Sequence, residues 1–174
     1  QLIGSTEASI YRYFESKHKL LSYLTMWYWG WLEYRLMLAI TNILDPVEKL
    51  IRSIHVLTEK ITEDEAFTQV NEAKLNRIII SDSSKMYFCK NVDEVNELGF
   101  FMSYKSLVER VSQIVLEITP QFKFPHMLVS TIIEGAHQQR FFAIHLPRLT
   151  DVSVGEDAVT SFYTDLALKQ LCLK

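Results

Sequence analysis

Helix-breaking residues are scarce in this chain, and that scarcity constrains its fold more than any other feature. Only five glycines and four prolines occur in 174 residues. Apolar residues recur at about the 3.6-residue period of an α-helix along almost the whole length, and no strand-like alternation is long enough to predict a strand. The sequence therefore predicts an all-α fold, and an apolar fraction of 48% is sufficient for a buried core.

Capping residues, prolines and polar clusters divide the chain into successive helices. The predicted helices span residues 6–14, 17–42, 47–60, 65–81, 92–118, 125–145 and 156–171. Ser16 and Pro46 are typical of helix starts, and the serine-rich segment 81–84 is typical of a loop. The helix over 92–118 is expected to continue past Gly99 with some relaxation. In the helix over 17–42, spacings of four and three predict one packed face formed by Leu20, Leu24, Trp27, Trp31, Tyr34 and Leu38.

Charge and cysteine content limit the classes of function. The net charge is −3, so any contact with nucleic acid must come from a local basic patch. Cys89 and Cys172 have no metal-binding or redox spacing, which favours free thiols in a reducing cytoplasm. No segment reaches the roughly 18 apolar residues of a membrane span. The chain opens on Gln-Leu-Ile-Gly rather than Met, and we expect further residues upstream.

The most informative segment lies near the beginning of the chain and reads G-S-T-E-A-S-I-Y-R-Y-F-E-S-K-H-K-L-L over residues 4–21. Gly4 suits a tight turn between two helices. Ile10, Phe14 and the leucines at 20 and 21 are expected to face a small core, which leaves small polar and aromatic side chains on the outer surface of a short helix. Such a helix fits the DNA major groove. Lys17 stands at a helix N-terminus, where the dipole disfavours a cation unless a phosphate is bound there.

This segment resembles the recognition-helix region of the tetracycline-repressor (TetR) family, with its glycine turn, a Tyr-x-Tyr-Phe ending, then Ser-Lys and a leucine pair. The resemblance implies that Tyr11 and Lys17 bind the phosphate backbone. It also implies that Thr6, Glu7, Ser9 and Tyr13 lie against bases or nearby sugars and phosphates. Glu7 either caps the helix or accepts a hydrogen bond from a cytosine amino group. The family's first helix and most of its second are absent from this chain.

The resemblance further implies two domains. Residues 1–24 are the C-terminal part of a helix-turn-helix DNA-binding domain, and residues 25–174 are a helical domain for effector binding and dimerisation. The last two long helices carry apolar faces that suit a homodimeric four-helix bundle, although each residue could equally belong to the protomer's own core. The predicted interface residues are Leu128, Ile132, Gly135, Phe142, Phe162 and Leu166.

A hydrophobic or aromatic small molecule is the expected effector, because the larger domain is rich in aromatic residues. The candidate ligand-binding residues are Trp27, Trp31, Tyr34, His55, Phe101, Tyr104 and His137. An aromatic stripe at helical spacing is also typical of plain core, and that alternative stays open. No cofactor and no metal site is predicted.

These features favour a ligand-responsive transcriptional regulator, a repressor that binds operator DNA as a homodimer. An enzyme is disfavoured because the sequence contains no HExxH, GxSxG, phosphate loop or paired Cys and His. A third reading is a helical dimerisation or ligand-binding module without DNA function.

Overall fold

The structure is a computed structural model that describes residues 13–61, 71–82, 84–153 and 157–173. It confirms the all-α prediction. The helices are α1 (Lys17–Ile40), α2 (Pro46–Thr58), α3 (Glu72–Asp82), α4 (Ser84–Tyr87), α5 (Val92–Glu97), α6 (Met102–Ile118), α7 (Pro125–His145) and α8 (Ala158–Gln170). A short 3₁₀ turn, Pro147–Leu149, lies between α7 and α8.

The predicted helix starts are confirmed where the structure describes them. The Ser16 hydroxyl accepts a hydrogen bond from the backbone N–H of Lys19 at 3.2 Å and caps α1. Asp45 caps α2 by accepting from the N–H groups of Val47 and Glu48, and Pro46 occupies the first turn. A proline fits there because the first-turn N–H groups have no partner within the helix. These caps fix where α1 and α2 begin.

The prediction of one continuous helix over 92–118 is wrong, because Gly99 separates α5 from α6. Gly99 has φ +82°, a left-handed conformation that favours glycine. Its N–H donates to the Asn96 carbonyl at 3.0 Å, and the Phe100 N–H donates to the Val95 carbonyl at 3.4 Å. This pair of bonds is the Schellman arrangement that ends a helix. Phe100 also packs against the cluster that contains Val95, and a hydrophobic contact between these two positions usually accompanies the arrangement.

The packed face predicted for α1 is also wrong, because the helix is rotated relative to that expectation. The buried residues are Ser22, Thr25, Tyr28, Trp29, Leu32 and Leu36. Tyr34 is 60% exposed and Leu38 is 59% exposed, whereas Trp27 and Trp31 are half-buried. Apolar side chains surround α1 on all sides, so the helical period alone does not select the face that packs.

One large core occupies the space between α1, α2, α6, α7 and α8. Its fully buried members include Trp29, Ile54, Leu107, Val115 and Ile133. A smaller cluster of Met86, Val95 and Phe101 packs with Leu21 of α1. α3 contacts both α1 and α7 and closes one side of the large core. In the described part of the chain, every helix is too short or too polar to cross a membrane.

Candidate functional site

The first candidate site is the N-terminal end of α1, where the motif meets the helical domain. Of the six predicted DNA-binding residues, Thr6, Glu7, Ser9 and Tyr11 lie outside the described residues. Tyr13 is 85% exposed. Lys17 is the first residue of α1 and its side chain is exposed. The two predicted DNA-binding residues that the structure describes are therefore both on the surface.

The electrostatics of this end favour an anion. The first turn of α1 contains lysines at 17 and 19 and no acidic residue. The free N–H groups of a first turn carry partial positive charge, and two lysines add to it. Two acids lie close to this end: exposed Glu15 directly precedes the cap, and Asp82 lies near Lys17. Hydrogen bonds from Lys85 and Ser81, with a smaller contribution from the charge of Lys17, lower the pKa of Asp82. Asp82 already accepts both hydrogen bonds, so it is not a dedicated partner of Lys17.

The second candidate site is a buried cluster of aromatic and polar side chains inside the helical domain. The Trp29 ring stacks on Tyr104 of α6, with ring centroids 4.1 Å apart and an angle of 13° between the planes. The His137 ring of α7 lies 5.8 Å from the Trp29 centroid at an angle of 29°. The Tyr104 hydroxyl donates to Glu134 Oε1 at 2.7 Å. Burial raises the pKa of Glu134, and the hydrogen bond from Tyr104 partly offsets that rise.

Tyr28 connects this cluster to α3. Its hydroxyl donates to Asn76 Oδ1 at 2.9 Å and lies 3.4 Å from His137 Nε2. Burial raises the pKa of Tyr28, so the phenol stays protonated. Burial also lowers the pKa of His137 to about 4, so the imidazole is neutral at pH 7. All three groups therefore act as neutral hydrogen-bonding partners.

A small cavity lies beside these three residues, between α1, α2, α3 and α7. Its volume is about 10 Å³, roughly the space of one water molecule. Polar lining comes from Tyr28, Asn76, His137, Glu59 and Arg140, and the remaining lining is mostly aliphatic, from Val56, Leu57, Ile61, Ile80 and Ala136.

The structure brings together only part of the predicted ligand-binding set. Tyr104 and His137 lie in the buried cluster, and Trp31 lies at its edge, with its ring 5.9 Å from Tyr28. Trp27 packs against the large core, and Phe101 belongs to the smaller cluster. Tyr34 is exposed, and His55 is exposed and pairs with Glu59. Tyr34 and His55 are therefore not part of this site.

Sequence reasoning missed Tyr28, Trp29, Asn76 and Glu134 as members of the cluster. Tyr28 and Trp29 follow directly after Trp27 in the same aromatic run. The packed face predicted for α1 did not include them, so they were not expected in the core. Asn76 and Glu134 are ordinary polar residues in their helices, and only tertiary packing brings them to Tyr28 and Tyr104.

The predicted dimer interface is divided between core and surface. Leu128 and Ile132 are buried within the protomer and cannot contact a partner directly. They belong to the protomer's own core, the alternative that the sequence left open. Gly135 lies against the hydroxyl end of Tyr163 from the same chain. Phe142 and Leu166 are half-buried, and Phe162 is 57% exposed. Phe162 lines a surface groove of about 400 Å³ together with Leu149, Val152 and Arg148.

Among the described residues, no group of three or more His, Cys, Asp or Glu side chains is placed to hold a metal ion. Comparisons of the chain with protein-family models, with curated proteins and with solved structures found no match.

Proposed function

We propose that this chain belongs to a ligand-responsive transcriptional repressor that binds operator DNA as a homodimer, the function that its TetR-like motif implies. The observation that carries the proposal is the continuity of α1. This 24-residue helix starts at Lys17, beside the motif, and contains Tyr28 and Trp29 of the buried cluster. A single rigid element therefore links the candidate DNA contacts to the candidate ligand site.

Support for DNA contact comes from the described end of the motif. Exposed Tyr13 and Lys17 flank a helix N-terminus that has no acidic residue in its first turn. A phosphate group matches that combination, because lysine and backbone N–H groups are both donors to it. The overall charge of −3 does not oppose such binding, since the positive charge needed is local.

Ligand response is supported by the surroundings of Trp29. This residue contacts Tyr104 of α6 and His137 of α7, so α1 is held by side chains from two other helices. A ligand that separates these rings would move α1. In dimeric readers the recognition helices must lie about 34 Å apart, so a shift of α1 changes DNA affinity. Couplings of about 1–3 kcal/mol are usual for switches of this kind.

Homodimerisation is supported by exposed apolar side chains in the groove between the end of α7 and α8, which Gln139, Arg148, Thr150 and Asp151 also line. Phe162 and Leu149 line it and are 57% and 58% exposed. An isologous contact between two such faces would cover both residues. The same feature also favours the second candidate function, a dimerisation module that does not bind DNA.

Selection from a pool of random duplexes tests the proposal, with the protein translated from the whole reading frame. We expect an enriched sequence with two-fold symmetry and a strong dependence of affinity on salt. Lys17→Ala should weaken binding to all sequences and reduce the salt slope by about 1. Lys123→Ala, a change at another exposed lysine, should leave both unchanged. If no duplex is enriched, the module without DNA function is the better description.

A further inference from the structure

We propose that the cavity beside Tyr28, Asn76 and His137 binds the hydroxyl group of an uncharged small molecule, an alcohol or a phenol, which donates its hydrogen bond to Nδ1 of His137. The description of that molecule as the effector rests on the proposed function, whereas the hydrogen-bonding chemistry of the cavity does not.

The hydrogen bonds of Tyr28 determine which nitrogen of His137 carries the proton. The single hydroxyl proton of Tyr28 is donated to Asn76 Oδ1, because a carbonyl oxygen can only accept. The Tyr28 oxygen can therefore only accept from His137, so Nε2 must be the protonated nitrogen across the 3.4 Å contact. In a neutral imidazole, the other nitrogen is then a lone-pair acceptor.

That acceptor is buried without a protein donor. His137 is 6% exposed, and no group in the described part of the chain makes a hydrogen bond to its Nδ1. A buried acceptor without a donor costs free energy, so the site favours a molecule that brings an O–H or N–H. His137 also lines the cavity, and a molecule that enlarges this cavity would bring its donor to Nδ1.

The charges around the cavity favour a neutral molecule. Glu59 pairs with Arg35 at 2.6 Å, and Arg140 pairs with Asp157 at 2.5 Å and donates to the Thr58 carbonyl at 2.6 Å. Both ionic groups that line the cavity therefore already have partners. A charged ligand would lose its hydration without gaining a free counter-ion.

The apolar lining favours a hydrocarbon body attached to the hydroxyl. The space in the closed structure holds only about one water-sized group, so a larger body must move aliphatic side chains of α2 and α3 apart. Binding would thus change the packing of these helices against α1 and α7, which is what a regulatory ligand needs to do.

The first experiment is ¹⁵N NMR of the imidazole of His137 at pH 7, with phenol as the probe and toluene as its isostere without a donor. We expect Nε2 to be protonated and Nδ1 to be bare. Phenol should shift the Nδ1 resonance in a saturable way, and toluene should not. A proton found on Nδ1 would overturn the proposal, as would equal responses to phenol and toluene or no saturable response to phenol.

Two substitutions separate the nitrogens. His137→Asn leaves a carbonyl oxygen near the position of Nδ1, and His137→Gln leaves an amide donor near the position of Nε2. We expect phenol binding to persist in H137N and to weaken about tenfold in H137Q, the size of one lost hydrogen bond. The reverse order would refute the assignment. If phenol binds as expected while the duplex selection fails, the chain is a ligand-binding module and only the proposed DNA function is lost.

Discussion

Gly135 of α7 lies directly against the hydroxyl end of the Tyr163 side chain of α8. A Cβ atom built at position 135 would stand 2.9 Å from Tyr163 Cζ and closer still to the hydroxyl oxygen. A glycine inside a helix costs about 1 kcal/mol relative to alanine. Here its lack of a side chain lets Tyr163, which is 6% exposed, pack into the core. The sequence predicted Gly135 at a contact between two protomers, and the structure places it against a side chain of its own protomer.

Gly135→Ala should therefore destabilise the protein by about 1–3 kcal/mol, as overpacked cores usually do. Gly30→Ala is the matched control in α1, because its nearest neighbour would be Ser103 Oγ at 3.8 Å, an ordinary contact. That change should stabilise the helix by up to about 1 kcal/mol. Denaturant unfolding measures both. In a Tyr163→Leu background the penalty of Gly135→Ala should disappear, and an undiminished penalty would contradict the packing argument.

Buried His137 should make stability depend on pH. Burial lowers its pKa to about 4 in the folded state, whereas an unfolded histidine has a pKa of about 6.5. Between these values the unfolded state binds the proton first, so the free energy of unfolding falls as the pH is lowered from about 6.5 to about 4, by up to about 3 kcal/mol.

The raised pKa of Glu134 acts in the opposite direction, because the folded state then takes up a proton more readily than the unfolded state. The contribution of His137 is therefore best measured as the difference between wild-type and His137→Gln unfolding curves across this range. Parallel curves would show that His137 is not buried in its neutral form.

Arg140 joins the end of α2 to the start of α8. It donates to the Thr58 carbonyl and to Asp157, which also caps α8 by accepting from Thr160 N–H at 3.2 Å. Burial alone would raise the pKa of Asp157, but these hydrogen bonds outweigh it and lower the pKa. Arg140→Met should cost about 2 kcal/mol, because it leaves part-buried acceptors without a donor.

Arg52→Met is the control for this change, since Arg52 forms an exposed pair with Glu48 one helical turn away. Such a pair contributes about 0.5 kcal/mol or less. Thermal and denaturant unfolding of the two variants should differ clearly. Equal losses would mean that Arg140 is no more than another surface residue.

The hydroxyl of Tyr104 should control the ionisation of Glu134. Tyr104→Phe keeps the ring stacked on Trp29 but removes the donor to Glu134. Burial raises the pKa of Glu134, and the hydrogen bond from Tyr104 opposes that rise. Its removal should therefore raise this pKa further. ¹³C NMR titration of the carboxyl group reports the change directly. Tyr34→Phe, at an exposed tyrosine, should leave the titration unchanged. An unaltered Glu134 titration in Tyr104→Phe would rule out this coupling.

Phe162→Asp should dissociate the proposed homodimer, because it would put a charge into the apolar contact on each protomer. Phe88→Asp is a suitable control, since Phe88 is 89% exposed and lies in the segment after α4. Sedimentation equilibrium should give a monomer for the first variant and the wild-type mass for the second. Dimers that survive Phe162→Asp would place the interface elsewhere.

The fold was predictable to the extent that local chemistry decides it. Caps and prolines located the starts of α1, α2 and α7, since each depends on neighbouring residues alone. Gly99 shows the limit of the same reasoning. A lone glycine is compatible with both a relaxed helix and a helix end, and Phe100 and Val95 complete the Schellman contact only once the chain has turned.

The candidate site was less predictable because its members come from four helices. His137 and Tyr104 were included for their residue types, but nothing local indicates that Tyr28 donates to Asn76 or that Tyr104 donates to Glu134. The apolar residues of α1 occupy every side of the helix, so its buried face is determined by the helices that pack against it. The predicted face was the wrong one, and Tyr28 and Trp29 were therefore not predicted as members of the site.

The length of α1 has a mechanical consequence. Trp29 lies twelve positions after Lys17, so at a rise of about 1.5 Å per residue the two are about 18 Å apart along the helix axis. A tilt of only about 5° at Trp29 would carry the far end through about 1.6 Å, half the length of a hydrogen bond. Motion can also be transmitted in the other direction, from Lys17 to Trp29. A contact that holds the end at Lys17 restricts the angle at Trp29. If binding at one end changes the affinity at the other, the change in binding free energy is the same in both directions.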